Sequence, residues 1–199
     1  MITDRRAALI KRVVSKRQQD LTIVLENVHD PHNIGAVLRT CDSIGIGEVY
    51  VILTEEGLNK ERYIGKNSST GAKKWVDVYF FEDVMSCFKE VRLKYDHIYG
   101  THLNQDSVSL YDLDLSSSCA LLFGNEHKGM SEESLRLIDG NFTIPQVGMV
   151  QSLNISVACA VSLYEAFRQR NVKGMYDRPY NEQLDPYFNK YVNKTRGLI

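Results

Sequence analysis

The chain has 199 residues and a formal net charge of −1, with 43% hydrophobic and 25% charged residues, a balance ordinary for one soluble globular domain with a real core. No apolar run reaches the length of a membrane span, and residues 1–20 are basic and amphipathic without a signal-peptide core, so the expected location is the cytoplasm. The total charge hides an asymmetry: residues 1–20 carry six Lys or Arg against two Asp, residues 168–199 carry seven against three, and the middle is acidic. Two basic ends around an acidic body fit a nucleic-acid footprint, since Lys and Arg near phosphates gain from counterion release. Cys41, Cys87, Cys119 and Cys159 fall singly on apolar segments with no C-x-x-C pair, which predicts buried reduced thiols.

In chain order, Asp4 to Lys16 is predicted as a helix with Ala8, Ile10, Val13 and Val14 on one stripe amid basic residues. Leu21 to Leu25 (LTIVL) suits a buried parallel strand and runs into the polar loop Glu26 to Asp30. Asp30-Pro31 reads as N-cap and first helical residue, followed at helical spacing by Ile34, Val37, Leu38, Cys41 and Ile44. Glu48 to Leu53 is the next strand, and Thr54 to Lys74, with Asn67, Ser68, Ser69, Thr70 and Gly71, a long functional loop. Trp75 to Phe80 is a strand, Glu82 to Lys94 a helix, His97 to Thr101 a strand and Asp106 to Ser118 a loop. Cys119 to Gly124 (CALLFG) is a buried strand, Ser131 to Ile138 a short helix and Phe142 to Ile144 a final strand. From Leu153 to Phe167 only Asn154, Ser156, Ser162 and Glu165 are polar, so the helix expected there is buried on two faces, its small residues admitting a second helix from a partner chain. Ser152 and Asn154 are helix-capping types at its start, and residues 173–199 form a tail with one more helix. Strands alternating with helices predict an α/β fold with a mostly parallel sheet covered on both faces.

Several chemistries lack their motifs. HDPHNIG after the first strand is neither G-x-G-x-x-G nor a P-loop, no G-x-S-x-G is present, and His29, His32, His97, His102 and His127 are too dispersed to predict a metal site. Three polar loops remain at strand ends: Asn33 and Arg39 after the first strand, Gly124 to Gly129 after CALLF, and Ser152-Leu153-Asn154 after FTIP. Ligands of open α/β sheets bind beside the carboxyl ends of the strands, which makes these loops a candidate site.

NVHDPHNIGAVLRTCDSIG, LLFGNEHKGMS and IPQVGMVQSLNISVACAVSLYEAFRQR resemble, in order and spacing, the three motifs of the SpoU family of knotted RNA 2'-O-ribose methyltransferases, with MYDRP extending the likeness into the tail. The resemblance is closest to the TrmH group, which methylates a tRNA D-loop guanosine, position 18. It implies a homodimer, S-adenosylmethionine as methyl donor, tRNA as partner and a trefoil knot near the C-terminal end of the sheet, with no membrane and no metal expected. It implies catalytic roles for Asn33 and Arg39 (first motif), Glu126 (second), and Ser152 and Asn154 (third). It also implies a cofactor site around Gly100, Thr101, Phe123, Gly124, Ile144 and Leu153. His127-Lys128 departs from the Lys-aromatic pair of many relatives.

Arginine does not deprotonate in proteins, so Arg39 is expected to grip a phosphate and stabilise the developing oxyanion while that phosphate or a water takes the proton. A helical Arg39 to Asp42 pair is the competing structural role. Residues 1–20 and 171–199 are expected to be RNA-binding extensions of a single domain spanning 1–199, with Arg5, Arg6, Lys11, Arg12, Lys16 and Arg17 gripping phosphates. The alternatives are a tRNA wobble or rRNA ribose as target, or a non-catalytic RNA-binding or assembly protein of the same fold. Wobble-type relatives typically lack the basic N-terminal helix, and many rRNA-type relatives add a whole N-terminal domain.

Overall fold

The computed structural model describes residues 2–58, 71–104 and 106–197. Within them the strands are β1 (Leu21–Glu26), β2 (Glu48–Ile52), β3 (Asp77–Phe81), β4 (His97–Thr101), β5 (Val108–Ser109), β6 (Cys119–Phe123) and β7 (Gly140–Thr143). The α-helices are α1 (Asp4–Ser15), α2 (Pro31–Ile44), α3 (Val84–Arg92), α4 (Glu132–Leu137), α5 (Ile155–Val172) and α6 (Asp185–Arg196). The strands form one sheet in the order β3-β2-β1-β6-β4-β7-β5, with every described pair parallel.

The predominantly apolar runs LTIVL and CALLF lie side by side at the centre of the sheet and are buried throughout. Leu21, Ile23 and Leu25 face a core shared with Val37, Leu38 and Cys41 of α2 and Cys159 and Leu163 of α5. Val24 faces the other side, with Tyr50, Ile52, Ala120 and Leu122 against Cys87, Phe88 and Val91 of α3. The expected two-sided cover is therefore present, and successive residues alternate between faces as the strand period requires. All four thiols are free and buried, and burial pushes each pKa up.

Some local expectations shift. The loop predicted over Asp106 to Ser118 contains β5, which pairs with β7 at the sheet edge, and a 3-10 turn, Leu110–Asp112, around the fully buried Leu110. A two-residue strand carries no periodicity to read. β3 begins at Asp77 rather than Trp75, because Trp75 stacks on Tyr191 of α6 at 5.2 Å. Asn67, Ser68, Ser69 and Thr70, singled out in the functional loop, lie outside the described residues.

The two chain ends meet. Ile10 and Val14 of α1 pack with Tyr191 and Val192 of α6, with Trp75 and Phe188 against them, whereas Ala8 faces outward and is not part of the stripe. Asp77 at the start of β3 accepts from Lys190 (2.5 Å) and Lys194 (2.8 Å) of α6. Two arginines of the ends turn inward as well. Arg17, expected on RNA, is only 7% exposed, reaches Asp42 at 2.5 Å and the Ile46 carbonyl at 2.8 Å, and lies over the Tyr191 ring; it is a structural residue. Arg170 in the last turn of α5 is fully buried, bonded to Gln18, to the Asp20 carboxylate and carbonyl, and to the carbonyls of Leu115 and Ser117.

Burial alone would raise the pKa of the Asp77 carboxyl, but Lys190 and Lys194 outweigh it and hold the value below the ordinary 3.8. A depressed folded-state pKa gives stabilisation that is complete above the unfolded value and is lost as pH falls through the folded one. Asp77→Asn should cost about 2 kcal/mol at neutral pH, leaving Lys194 buried without its carboxylate. Urea denaturation across a pH series should show that difference closing as the pH falls below about 4.

Candidate active site

The carboxyl ends of β4, β6 and β7 and the segment entering α5 enclose a cavity of about 260 Å³. Thr101, Phe123, Gly124, Ile144 and Leu153 line it, as do Glu126 and Ser152, so most of the expected site converges on one space. Gly100 is a correction. It lies outside the lining, and a Cβ there would meet the Met130 side chain at 2.7 Å and Ile138 Cδ1 at 2.9 Å, which makes it a packing position behind the cavity. The motif residues did not single out His102, Leu103, Gln146 and Gln151, which also line the cavity. Their signal is position alone, immediately past β4 or within the segment before α5.

A short polar chain joins the three loops at the mouth. Asp30 caps α2 by accepting from the His32 N–H at 2.8 Å, and Pro31 opens the helix as expected, which fixes Asn33 in the first turn. Asn33 Nδ2 donates to Glu126 Oε1 at 2.8 Å, and Asn33 Oδ1 accepts from Asn154 Nδ2 at 3.1 Å. Asn154 Oδ1 in turn caps α5 through the Ser156 N–H at 2.8 Å. Each amide uses both ends, so its orientation is fixed by its neighbours. Beside this chain, the Glu55 carboxylate accepts from Lys128 at 2.8 Å and sits 2.6 Å from His29, and these contacts hold its pKa below the ordinary value.

The model of the SpoU rRNA Methylase family matches residues 20–164. The chain belongs to that family. It is 43% identical over 184 residues to a tRNA (guanosine(18)-2'-O)-methyltransferase of Thermus thermophilus, covering 92% of this chain and 91% of the relative. The crystal structure of the Aquifex aeolicus TrmH/SpoU tRNA modifying enzyme superposes with a TM-score of 0.82 at 33% identity, covering 98% of each chain. The SpoU methyltransferase AviRb from Streptomyces viridochromogenes, solved in complex with AdoMet, superposes with a TM-score of 0.68 at 26% identity, covering 78% of this chain and 59% of that one.

Within this SpoU chain the polar network does not include Arg39. Arg39 lies six residues beyond Asn33 on α2, about 9 Å along the axis, is exposed, and does not line the cavity. The Arg39 to Asp42 pair is absent, Asp42 being held by Arg17. One turn further, Ser43 touches the Tyr164 hydroxyl of α5 at 3.4 Å, so Arg39 borders the outer face of α5. Within one chain the face of α5 expected to meet a partner helix is bare: Val157 is 45% and Tyr164 53% exposed, with Val147, Met149 and Val150 bare in the adjoining segment. Ala158, one of the small residues of α5, lines the cavity.

Gly124 carries the tightest constraint in the site. A Cβ there would lie 2.3 Å from Gly129 C and Met130 N, backbone atoms that cannot swing aside. Gly124→Ala should therefore displace the Glu126 loop and destabilise the protein by about 3 kcal/mol or more, whereas Gly100→Ala, opposed only by side chains, should cost less. Paired denaturation curves test the ranking.

Proposed function

We propose that this protein transfers a methyl group from S-adenosylmethionine to the 2'-hydroxyl of guanosine 18 in tRNA. The observation that carries the reading is the cavity at the carboxyl edge of the sheet, lined by Glu126, whose carboxylate Asn33 holds while Asn154 holds Asn33. The likeness to the Thermus and Aquifex enzymes along nearly the whole chain, terminal helices included, supports this target over a wobble or ribosomal ribose. The lining suits the donor. Leu103, Phe123, Phe142 and Ile155 offer apolar walls to a flat ring, Thr101, Gln146, Gln151 and Ser152 offer hydrogen bonds, and Glu126 places a carboxylate where a sulfonium gains from it. When bound there, S-adenosylmethionine supplies the methyl group.

The protein's own contribution is placement and electrostatics. Asn33 and Asn154 hold the Glu126 carboxylate in a fixed orientation at the mouth. Ser152, exposed on the cavity wall, is free to bond the ribose. Arg39 grips the RNA phosphate next to the target and stabilises charge developing on the ribose oxygen, and the proton passes to that phosphate or to water. A homodimer completes this reading: the bare Val157 and Tyr164 face of α5 and the apolar Val147 to Val150 segment are the surface a second copy covers, next to Arg39. The trefoil knot that the family resemblance implies belongs to this reading as well; β7 lies between the earlier strands β4 and β5.

The terminal helices serve as phosphate grips within one functional unit. Arg5 and Arg12 lie on the exposed face of α1, while Arg6 lies over the Trp75 ring, Lys11 over Tyr180 and Phe188, and Lys16 bonds the Tyr176 carbonyl. Those three also serve packing.

Two measurements test the reading. Purified protein should methylate an unmodified tRNA transcript at the guanosine 18 ribose. Arg39→Ala should lower that rate by about 100-fold or more with an unchanged melting curve, because Arg39 supports transition-state charge and little of the fold; near wild-type turnover would remove Arg39 from the mechanism. Arg5→Ala with Arg12→Ala should flatten the log–log salt dependence of tRNA binding by about two units, one per phosphate contact, and leave cofactor affinity unchanged. Parallel salt slopes would return α1 to a structural role.

A further inference from the structure

We propose that Asn27, outside the catalytic set, is a positioning residue that holds the Glu126 loop at the reactive register; this rests on the methyltransferase reading above. Asn27 follows the last residue of β1 and is the single described non-glycine residue with positive φ, +52°. That left-handed turn is strained for most side chains and tolerable for Asn. It lets the backbone and the side chain of one residue face two different loops. The Asn27 carbonyl accepts from Asn125 Nδ2 at 2.8 Å, a buried bond between β1 and the second-motif loop. Asn27 Oδ1 accepts from the Thr54 N–H at 2.8 Å and, more weakly, from the Glu55 N–H at 3.4 Å, while Nδ2 donates to the Thr54 hydroxyl at 2.8 Å.

The bonds close a ring around Glu126. Asn125 Oδ1 accepts from the backbone N–H groups of His127 and Lys128 at 2.8 and 3.0 Å, and the backbone groups of Asn125 and Gly129 pair at both ends, both at 2.9 Å. Lys128 then reaches back to Glu55, whose backbone Asn27 holds. Next to Asn27 on the strand, Glu26 Oε2 accepts from the Ser131 N–H at 3.2 Å, so the exit of the same loop is tied to β1 as well. The backbone on both sides of Glu126 is thus tied to the end of β1, while its carboxylate faces the cavity and meets Asn33 at 2.8 Å. Asn27 opens the first motif but neither lines the cavity nor belongs to the catalytic set; holding the loop accounts for a 6%-exposed amide with a left-handed backbone at this position.

The test compares Asn27→Gly, which keeps the turn and deletes the side chain, with Asn27→Asp, which keeps the acceptor for the Thr54 and Glu55 N–H groups. Asn27→Gly should lower kcat about 10-fold or more while KM for tRNA stays within about twofold, because misplacement at the reacting centre is paired with intact phosphate contacts. Asn27→Asp should restore most of the rate. Combined with Glu126→Gln, Asn27→Gly should slow single-turnover methylation by no more than about twofold beyond Glu126→Gln alone, the signature of two residues acting through one group. Should Asn27→Gly lose its cooperative melt, Asn125→Asp removes the donor to the Asn27 carbonyl, the link that the glycine variant leaves in place, and carries the same expectations. Unchanged kcat, a loss confined to KM, or additive losses with Glu126→Gln would overturn the positioning role. A wild-type protein that methylates no tRNA would overturn the proposed function instead.

Discussion

A guanidinium with no exposure anchors this fold. Arg170 presents five N–H donors, and Gln18, the Asp20 carboxylate and carbonyl, and the carbonyls of Leu115 and Ser117 meet all five. Removing such a group from water costs several kcal/mol unless every donor is satisfied, so the arrangement tolerates little alternative. Its acceptors precede β1 and β6, the two central strands, and the donor ends α5. One residue therefore fixes the amino edge of the sheet to the helix that covers it.

The consequence appears at the opposite edge. α5 has 18 residues and spans about 27 Å, so anchoring its last turn at the amino edge sets where its first turn falls at the carboxyl edge. Asn154, its cap, is thereby brought to Asn33 on α2, and α2 and α5 share the core with Cys41 and Cys159 back to back. The reactive groups are held by rigid elements packed on a sheet, with the loops contributing only their first few residues. A hydroxyl attacking a methyl group in line demands that kind of fixity.

The charge distribution follows a similar division of labour. Two basic segments far apart in sequence become one surface because Ile10 and Val14 bury against Tyr191 and Val192. Not all of their cations face outward: Arg17 and Arg170 hold the fold, and Lys190 and Lys194 bind Asp77. The footprint open to a polyanion is thus smaller than the count of Lys and Arg suggests, and Arg5 and Arg12 are its clearest members.

Predominantly apolar runs such as LTIVL and CALLF announce strands buried on both faces, and Asp30-Pro31 announces a capped helix; both signals are local and both survive folding. Thr101, Phe123, Gly124, Glu126, Ile144, Ser152 and Leu153, which the family resemblance implied as site residues, do line one cavity. What the sequence could not carry were pairings across long separations. Asp42 took Arg17 rather than Arg39, Gly100 turned to Met130 rather than to the cavity, and a two-residue strand at Val108 closed the sheet edge. Helical period and capping act within a few residues and so determine elements from sequence alone. Which cation meets which carboxylate, and which face of a helix stays bare, depends on how the elements pack, and only the tertiary structure decided that.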